Sequence, residues 1–248
     1  MARKQKIPEP DPVVDPTGWM VSSDIAQFLL LHSIEVKYMC MLGYTYMHGV
    51  KVFSTVDSAA ATSFRFISMI MACTGGGILV PIILNGIPVP LANDAYPIAM
   101  LISFGIHHFF PVIREVFKIS PIFKSCCVVF YETLRASVVV TLTLAAGSKI
   151  PASTFSFPVF GPIACGAIAG CGGAFLPLNK GLEPIKGGLA SPMMTALVAS
   201  TCLHLFLNTG LSEGVIDAKE KAHVHIAAYF IIVGLVTNLN LTVKSKSD

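Results

Sequence analysis

Two stretches of this sequence match each other, Thr74-Gly75-Gly76-Gly77-Ile78-Leu79-Val80-Pro81 and Gly170-Cys171-Gly172-Gly173-Ala174-Phe175-Leu176-Pro177. Each lies in an apolar segment and places a proline four residues after its last glycine. Glycine runs followed by proline break or kink a helix. In lipid, the freed backbone groups must be satisfied by protein or water, so such breaks at matching positions indicate a pore or binding site. The alternative is that the glycines let helices pack closely.

The composition around these stretches excludes a soluble domain. Of 248 residues, 54% are hydrophobic and 12% are charged, against about 25% charged in a typical soluble domain. Seven apolar segments approach the ~20 residues that cross a bilayer, at 22–43, 66–84, 95–113, 125–147, 157–178, 190–209 and 223–243. We therefore predict an all-α integral membrane protein with seven transmembrane helices. The first and fourth segments carry charges, so six spans with one segment at the interface stays open.

The spans also repeat as a three-helix unit. Spans three and six begin alike, with Ala95-Tyr96-Pro97 and Ala190-Ser191-Pro192, and later share His108-Phe109-Phe110 and His204-Leu205-Phe206. Spans one and four each pair an acid with a base, Glu35 with Lys37 and Glu132 with Arg135. An odd number of spans per unit reverses the second copy, which gives two inverted-topology repeats. We place repeat one at about 22–118, repeat two at about 121–209, and a seventh helix at about 223–243, between a polar tail 1–21 and a tail 244–248.

The charges orient the chain. Nine Lys and Arg residues flank the spans on one side and, apart from the N-terminal tail, three flank them on the other. The positive-inside rule makes the C-terminus cytosolic and the N-terminus lumenal. The chain ends in Lys244-Ser245-Lys246-Ser247-Asp248, which resembles a dilysine retrieval signal of the endoplasmic reticulum.

Ionisable residues inside the spans are the remaining candidates for function. Arg135 lies mid-span, where an arginine costs at least about 2.5–3.5 kcal/mol. It is interpreted either as a gate or anionic-lipid site, or as half of a structural ion pair with Glu132. Buried histidines (His107, His108, His204) suit a proton relay, a metal or hydrogen bonds in the core, and no third metal ligand has convincing spacing. No nucleophile adjoins a base, so an enzyme is not expected. A nucleic-acid partner is not expected either.

Taken in order, several motifs resemble the trimeric intracellular cation (TRIC) channel family. These are Asp24-Ile25-Ala26-Gln27-Phe28-Leu29, the first glycine stretch with Pro81, Phe109-Phe110-Pro111 through Lys118, Pro121-Ile122-Phe123-Lys124, Tyr131-Glu132-Thr133-Leu134-Arg135 and Gly170 to Pro177. The resemblance implies a homotrimer with a pore in each protomer. It implies a potassium-permeable channel of the endoplasmic or sarcoplasmic reticulum that supplies counter-ions during calcium release. The implied pore residues are Thr74, Gly75, Gly76, Gly77, Pro81, Gly170, Gly172, Gly173 and Pro177.

The chain also departs from the family pattern. The family holds a phosphoinositide headgroup with a lysine and an arginine on span four, and here Tyr131 occupies the lysine position while Arg135 matches the arginine. A basic residue early in span six is replaced by Met193 and Met194. We therefore expect a divergent member in which Tyr131, Glu132 and Arg135 govern gating or lipid binding. A secondary transporter built on the same inverted repeat is the rival interpretation.

Overall fold

The computed structural model describes residues 15–176, 178 and 181–239, and every regular element in those ranges is helical. The helices are α1 (Trp19–Ser22), α2 (Asp24–Leu29), α3 (Ile34–Thr55), α4 (Thr62–Ile83), α5 (Val89–Ala92), α6 (Ala95–Phe109), α7 (Pro111–Ile119), α8 (Pro121–Lys149), α9 (Phe160–Cys171), α10 (Ser191–Asn208) and α11 (Ala218–Asn238). Short 3₁₀ turns occupy Gly172–Ala174, Glu183–Ile185 and Gly210–Ser212. The all-helical membrane fold is confirmed.

Length and composition identify fewer spans than the sequence predicts. In the described part of the chain, α4, α8 and α11 are each long and apolar enough to cross a membrane. The pair α6 and α7 meets the same test together but is bent by 90°, which gives a fourth span if the pair counts as one. The apolar segment Phe160–Ala174 is shorter. A helix overlaps each predicted span, and the total of seven crossings stays a prediction.

The first long helix begins twelve residues later than the predicted span 22–43. Chain 24–55 forms the short helix α2, a break and then α3. The break has two local causes, since Leu31 adopts φ 56° and the Ser33 hydroxyl caps α3 by accepting from the Val36 amide at 3.2 Å. A serine N-cap starts a helix independently of hydropathy, so an apolar window misplaces this boundary.

Helix α8 lies at the centre of the bundle and packs against α3, α9, α10 and α11. The largest buried cluster joins α8 to the three helices after it, and many of its members are small. Among them are Ala136, Ala146, Ala169, Ala196 and Ala199. Small side chains let membrane helices approach closely, so packing here does not rely on a water-driven hydrophobic force.

Equivalent contacts occur within each of the two repeats. In the first, the Thr45 and Ser103 hydroxyls lie 2.7 Å apart, and a Cβ on Gly49 would overlap the ring of His107. In the second, Thr143 and Ser200 flank Gly166, and Gly147 faces His204. These partners are 97 or 98 residues apart, so the predicted match of His108 with His204, at an offset of 96, is wrong by one residue. His107 is the partner of His204, because only His107 takes the same buried position.

Candidate functional site

Four glycines bring the backbones of the two repeats into close contact, and we call Gly75, Gly76, Gly172 and Gly173 the glycine crossing. A Cβ atom built on Gly75 would lie 2.2 Å from the backbone nitrogen of Gly173. One built on Gly172 would lie 2.4 Å from the backbone nitrogen of Gly76. Both distances are far below any van der Waals contact, so only glycine fits at these positions.

The glycine crossing is symmetric with respect to the repeat. A Cβ on Gly76 would meet the carbonyl oxygen of Ala169 at 2.1 Å, and one on Gly173 would meet that of Ala72 at 2.2 Å. A shift of 97 residues converts each contact into the other. Contacts that exchange their two halves are the mark of a twofold relation. The structure therefore supports the inverted pair, with a register one residue longer than the sequence match at 96.

The predicted helix breaks are present in the second repeat only. Helix α9 ends at Cys171 and passes into the 3₁₀ turn Gly172–Ala174, whereas α4 continues through its glycines with Pro81 in the last turn. Pro81 lacks the N–H that would bond to the Gly77 carbonyl, so α4 loses one backbone bond there but continues to Ile83. Pro177 lies outside the described residues, as do Lys244 and Lys246.

The remaining candidate pore residues are packed inside the bundle. Thr74 is buried and donates its hydroxyl to the Ile70 carbonyl at 2.6 Å, within its own helix. Gly77 faces the Val89 side chain, and Gly170 faces Ala196 and Val139. Close packing accounts for these glycines directly, and their role in lining a pore stays a prediction.

Arg135 and Glu132 form a buried ion pair one turn apart on α8. Arg135 Nη1 donates to Glu132 Oε2 at 2.7 Å, and the two side chains are 3% and 8% exposed. Arg135 Nε donates to the Gly170 carbonyl at 2.9 Å, and Nη2 donates to Thr195 Oγ1 at 2.8 Å and to the Pro192 carbonyl. All three guanidinium nitrogens are thus bonded within the protein.

Helix α11 closes over this pair. The Arg135 guanidinium lies 4.4 Å from the centre of the Phe230 ring, and a Cβ on Gly234 would lie 2.7 Å from Glu132 Cγ. Of the two interpretations of Arg135, the contacts describe the structural ion pair. The pair links α8 to the second glycine stretch, to α10 and to α11. A lipid headgroup at Arg135 would have to displace one of these bonds, so that role stays a prediction.

Tyr131 sits in an aromatic group that sequence reasoning missed. Its ring stacks on Tyr44 of α3, with centroids 5.0 Å apart and planes 12° apart, and His48 lies 5.4 Å from it. His48 also meets Tyr44 at 4.7 Å, and its buried Nε2 bonds to none of the described residues. The signal was available, because Tyr44 and His48 are four apart and share one face of α3.

The buried histidines bond to backbone carbonyls. His107 Nε2 lies 2.9 Å from the Tyr46 oxygen, and His204 Nε2 bonds to the Pro158 oxygen. His108 stacks on Phe104. Within the described ranges, no three His, Cys, Asp or Glu residues are placed to hold a metal ion. Of the interpretations drawn from sequence, hydrogen bonding in the core describes His107 and His204.

Comparison with solved structures adds an independent observation. A trimeric intracellular cation channel from C. elegans without Ca²⁺ superposes with a TM-score of 0.67 at 17% identity, covering 88% of this chain and 97% of that one. A trimeric intracellular cation channel from C. elegans with bound Ca²⁺ gives a TM-score of 0.65 at 18% identity, covering 90% of this chain and 99% of that one. A structure concerned with the activity of TRIC counter-ion channels in calcium release gives 0.64 at 15% identity, covering 87% and 98%.

The chain has the fold of the TRIC channels. The match spans nearly the whole of both chains, so the TRIC fold accounts for both repeats together. No protein-family model and no curated protein sequence matches this chain. The identities of 15–18% show a shared fold and leave the role of Tyr131 a prediction.

Proposed function

We propose that the chain is a divergent TRIC channel that conducts monovalent cations, chiefly potassium, across an intracellular membrane. The observation that carries the proposal is the TRIC fold along 88% of this chain and 97% of the matched channel. The glycine crossing supports it, because it occupies the place where the two inverted repeats meet. The counter-ion role in calcium release follows from what the matched TRIC channels are described as doing.

The proposal includes a homotrimer in the endoplasmic or sarcoplasmic reticulum, with a pore within each protomer. The matched C. elegans channel is trimeric. The lysine and arginine distribution supports a lumenal N-terminus and a cytosolic C-terminus. Neither a nucleic acid nor an enzymatic reaction belongs to the proposal.

The ion path is proposed to run beside the glycine crossing, between α3, α4, α8 and α9. The Tyr44 and Tyr131 rings stack between α3 and α8, so they are proposed as its narrowest part. Arg135 does not oppose a passing cation, because Glu132 neutralises it at 2.7 Å. Exposed backbone carbonyls and a few hydroxyls would then supply selectivity.

Phosphoinositide binding enters the proposal in a weakened form. Tyr131 brings no positive charge, and each Arg135 nitrogen already donates within the protein. A headgroup would have to take over the bonds to Thr195 and Pro192. Gating in this chain is therefore proposed to depend on phosphoinositide less than in a TRIC channel with the basic pair.

A secondary transporter is the second candidate, because an inverted repeat with a central crossing also suits alternating access. The two are separated by recording the purified protein in planar bilayers with potassium chloride on both sides. A channel gives unitary current steps that grow linearly with voltage. Saturable flux without current steps would overturn the channel proposal and favour the transporter.

A further inference from the structure

Helix α7 is the short helix between α6 and α8. It follows α6 after one residue and lies at 90° to it. Pro111 begins α7, and proline cannot continue the preceding helix, so the chain turns there. Ser120 then caps α8 by accepting from the Phe123 amide at 3.2 Å. The nine residues of α7, about 13 Å long, therefore link α6 to α8 and run across the axis of α6.

This helix has three distinct faces. Phe117 is buried and packs edge-on against the rings of Tyr46 and Phe123, at 5.8 and 5.9 Å. A second face carries the apolar stripe, defined as Val112, Val116 and Ile119, which are 64%, 44% and 78% exposed. These positions are four and three residues apart, so they align along one side of the helix. The third face carries Glu115 and Lys118, which are exposed and pair at 2.8 Å.

The bundle holds α7 firmly in this orientation. Arg114 donates to the His107 carbonyl and lies 5.0 Å from the centre of the Phe53 ring. The Tyr46 hydroxyl donates to the Ile113 carbonyl at 3.3 Å. The rotation of α7 about its axis is thus fixed by contacts to α3 and α6. These contacts therefore keep the apolar stripe turned away from the bundle.

We propose that the apolar stripe seats in the headgroup boundary of the bilayer, which makes α7 an interfacial helix and a phospholipid surface its partner. A helix with a strong apolar face, lying parallel to the membrane plane, is the form that binds this boundary. Lys118 lies in the last turn of α7 and Lys124 lies in the first turn of α8, and positive residues collect on the cytosolic side, where anionic lipids are concentrated.

Tryptophan quenching tests this placement in the intact protein. Trp19 is the only tryptophan and is exposed, so Trp19→Phe gives a background in which Val116→Trp is the sole reporter. Lys118→Trp on the charged face is the matched control. Each variant is reconstituted in vesicles of phosphatidylcholine and phosphatidylserine whose acyl chains are brominated near the headgroup. We expect the V116W reporter to be quenched about twice as strongly as the K118W reporter.

A second reporter protects the test against local misfolding. Ile119→Trp lies on the apolar stripe and is expected to behave as V116W does. Equal quenching of stripe and charged-face reporters would overturn the proposal. So would an unquenched stripe, because that result means that a second copy of the chain or another protein covers it. Quenching does not depend on conduction, so the outcome is independent of the channel proposal.

Discussion

Gly75 of α4 and Gly173 after α9 meet backbone to backbone, and a Cβ on the first would lie 2.2 Å from the nitrogen of the second. The contact joins the two inverted repeats at their centre. Since backbone atoms cannot rotate away as a side chain can, any added atom must push α4 and α9 apart. The spacing of these helices is therefore set by the absence of side chains at the glycine crossing.

Gly75→Ala is expected to destabilise the protein by about 1–3 kcal/mol, the usual cost of forcing extra volume into a packed site. Gly105→Ala is the matched control, because Gly105 lies within α6 and a Cβ there meets nothing within 4 Å. That control should be neutral or slightly stabilising, since alanine favours a helix. Thermal unfolding in detergent measures both. Equal unfolding temperatures for the two variants would contradict the close crossing.

Arg135→Met is expected to cost about 3–5 kcal/mol, because it leaves Glu132 buried without its partner. The double variant Glu132→Met/Arg135→Met should recover most of that loss, since it removes both charges from the interior. Denaturation of the two variants and the parent gives the comparison. A double variant as unstable as the single one would show that the charge of the pair does not matter. The lost bonds to Gly170 and Thr195 would then explain the effect.

Tyr131→Lys is expected to lower unitary cation conductance, because it adds a positive charge four residues from Arg135 beside the proposed path. It should also make open probability respond to added phosphoinositide, since it creates on α8 the basic pair that the TRIC resemblance implies for lipid binding. Tyr131→Phe is the control that keeps the stacked ring, and its conductance should match the parent. Bilayer recordings with and without the lipid provide both readings. A Y131K channel identical to the parent would argue against Tyr131 as the constriction.

Lys221 fixes the start of the described chain to α11. Its Nζ donates to Asp15 Oδ2 at 2.6 Å and to Thr17 Oγ1 at 2.7 Å. The bond from Lys221, with two further bonds from Thr17, lowers the pKa of Asp15 below its ordinary value of 3.8. The contribution of this contact is therefore complete above pH 3.8 and is lost as the pH falls through the lowered pKa.

Lys221→Met should loosen this attachment at neutral pH. Limited proteolysis is expected to cleave near Asp15 faster in K221M than in the parent. Lys219→Met is the control, because Lys219 is exposed and lies two residues away on the same helix. Similar cleavage of K221M and the parent would mean that the other contacts of α1 and α2 suffice to hold the segment.

The all-helical class and the repeat were predictable from sequence because both depend on patterns within short stretches of the chain. Apolar segments of membrane-spanning length mark the helices, and the matching glycines mark the repeat. The start of α3 was not predictable from hydropathy, because it is set by the N-cap at Ser33 and an apolar window does not detect a capping residue. The offset between the repeats is 97 at the glycine crossing and 96 in the sequence match. Aligning glycines with glycines does not show which of them are in contact.

The candidate site was predictable only in part. An arginine within a span indicated a buried partner, and Glu132 is that partner. The further bonds of Arg135 to Gly170, Pro192 and Thr195 join residues 35 to 60 positions apart. Such contacts depend on how α8, α9 and α10 are placed, which no spacing rule gives. The stack of Tyr131 on Tyr44 is likewise a product of the α3–α8 packing.

The central claim is that this chain is a cation channel, and the reversal potential in a potassium chloride gradient tests it most directly. The purified protein is placed in a planar bilayer with concentrated salt on one side and dilute salt on the other. We expect currents that reverse close to the potassium equilibrium potential, and Gly105→Ala should reverse at the same voltage. Currents that reverse at zero or near the chloride potential would contradict the account, as would a bilayer that stays silent.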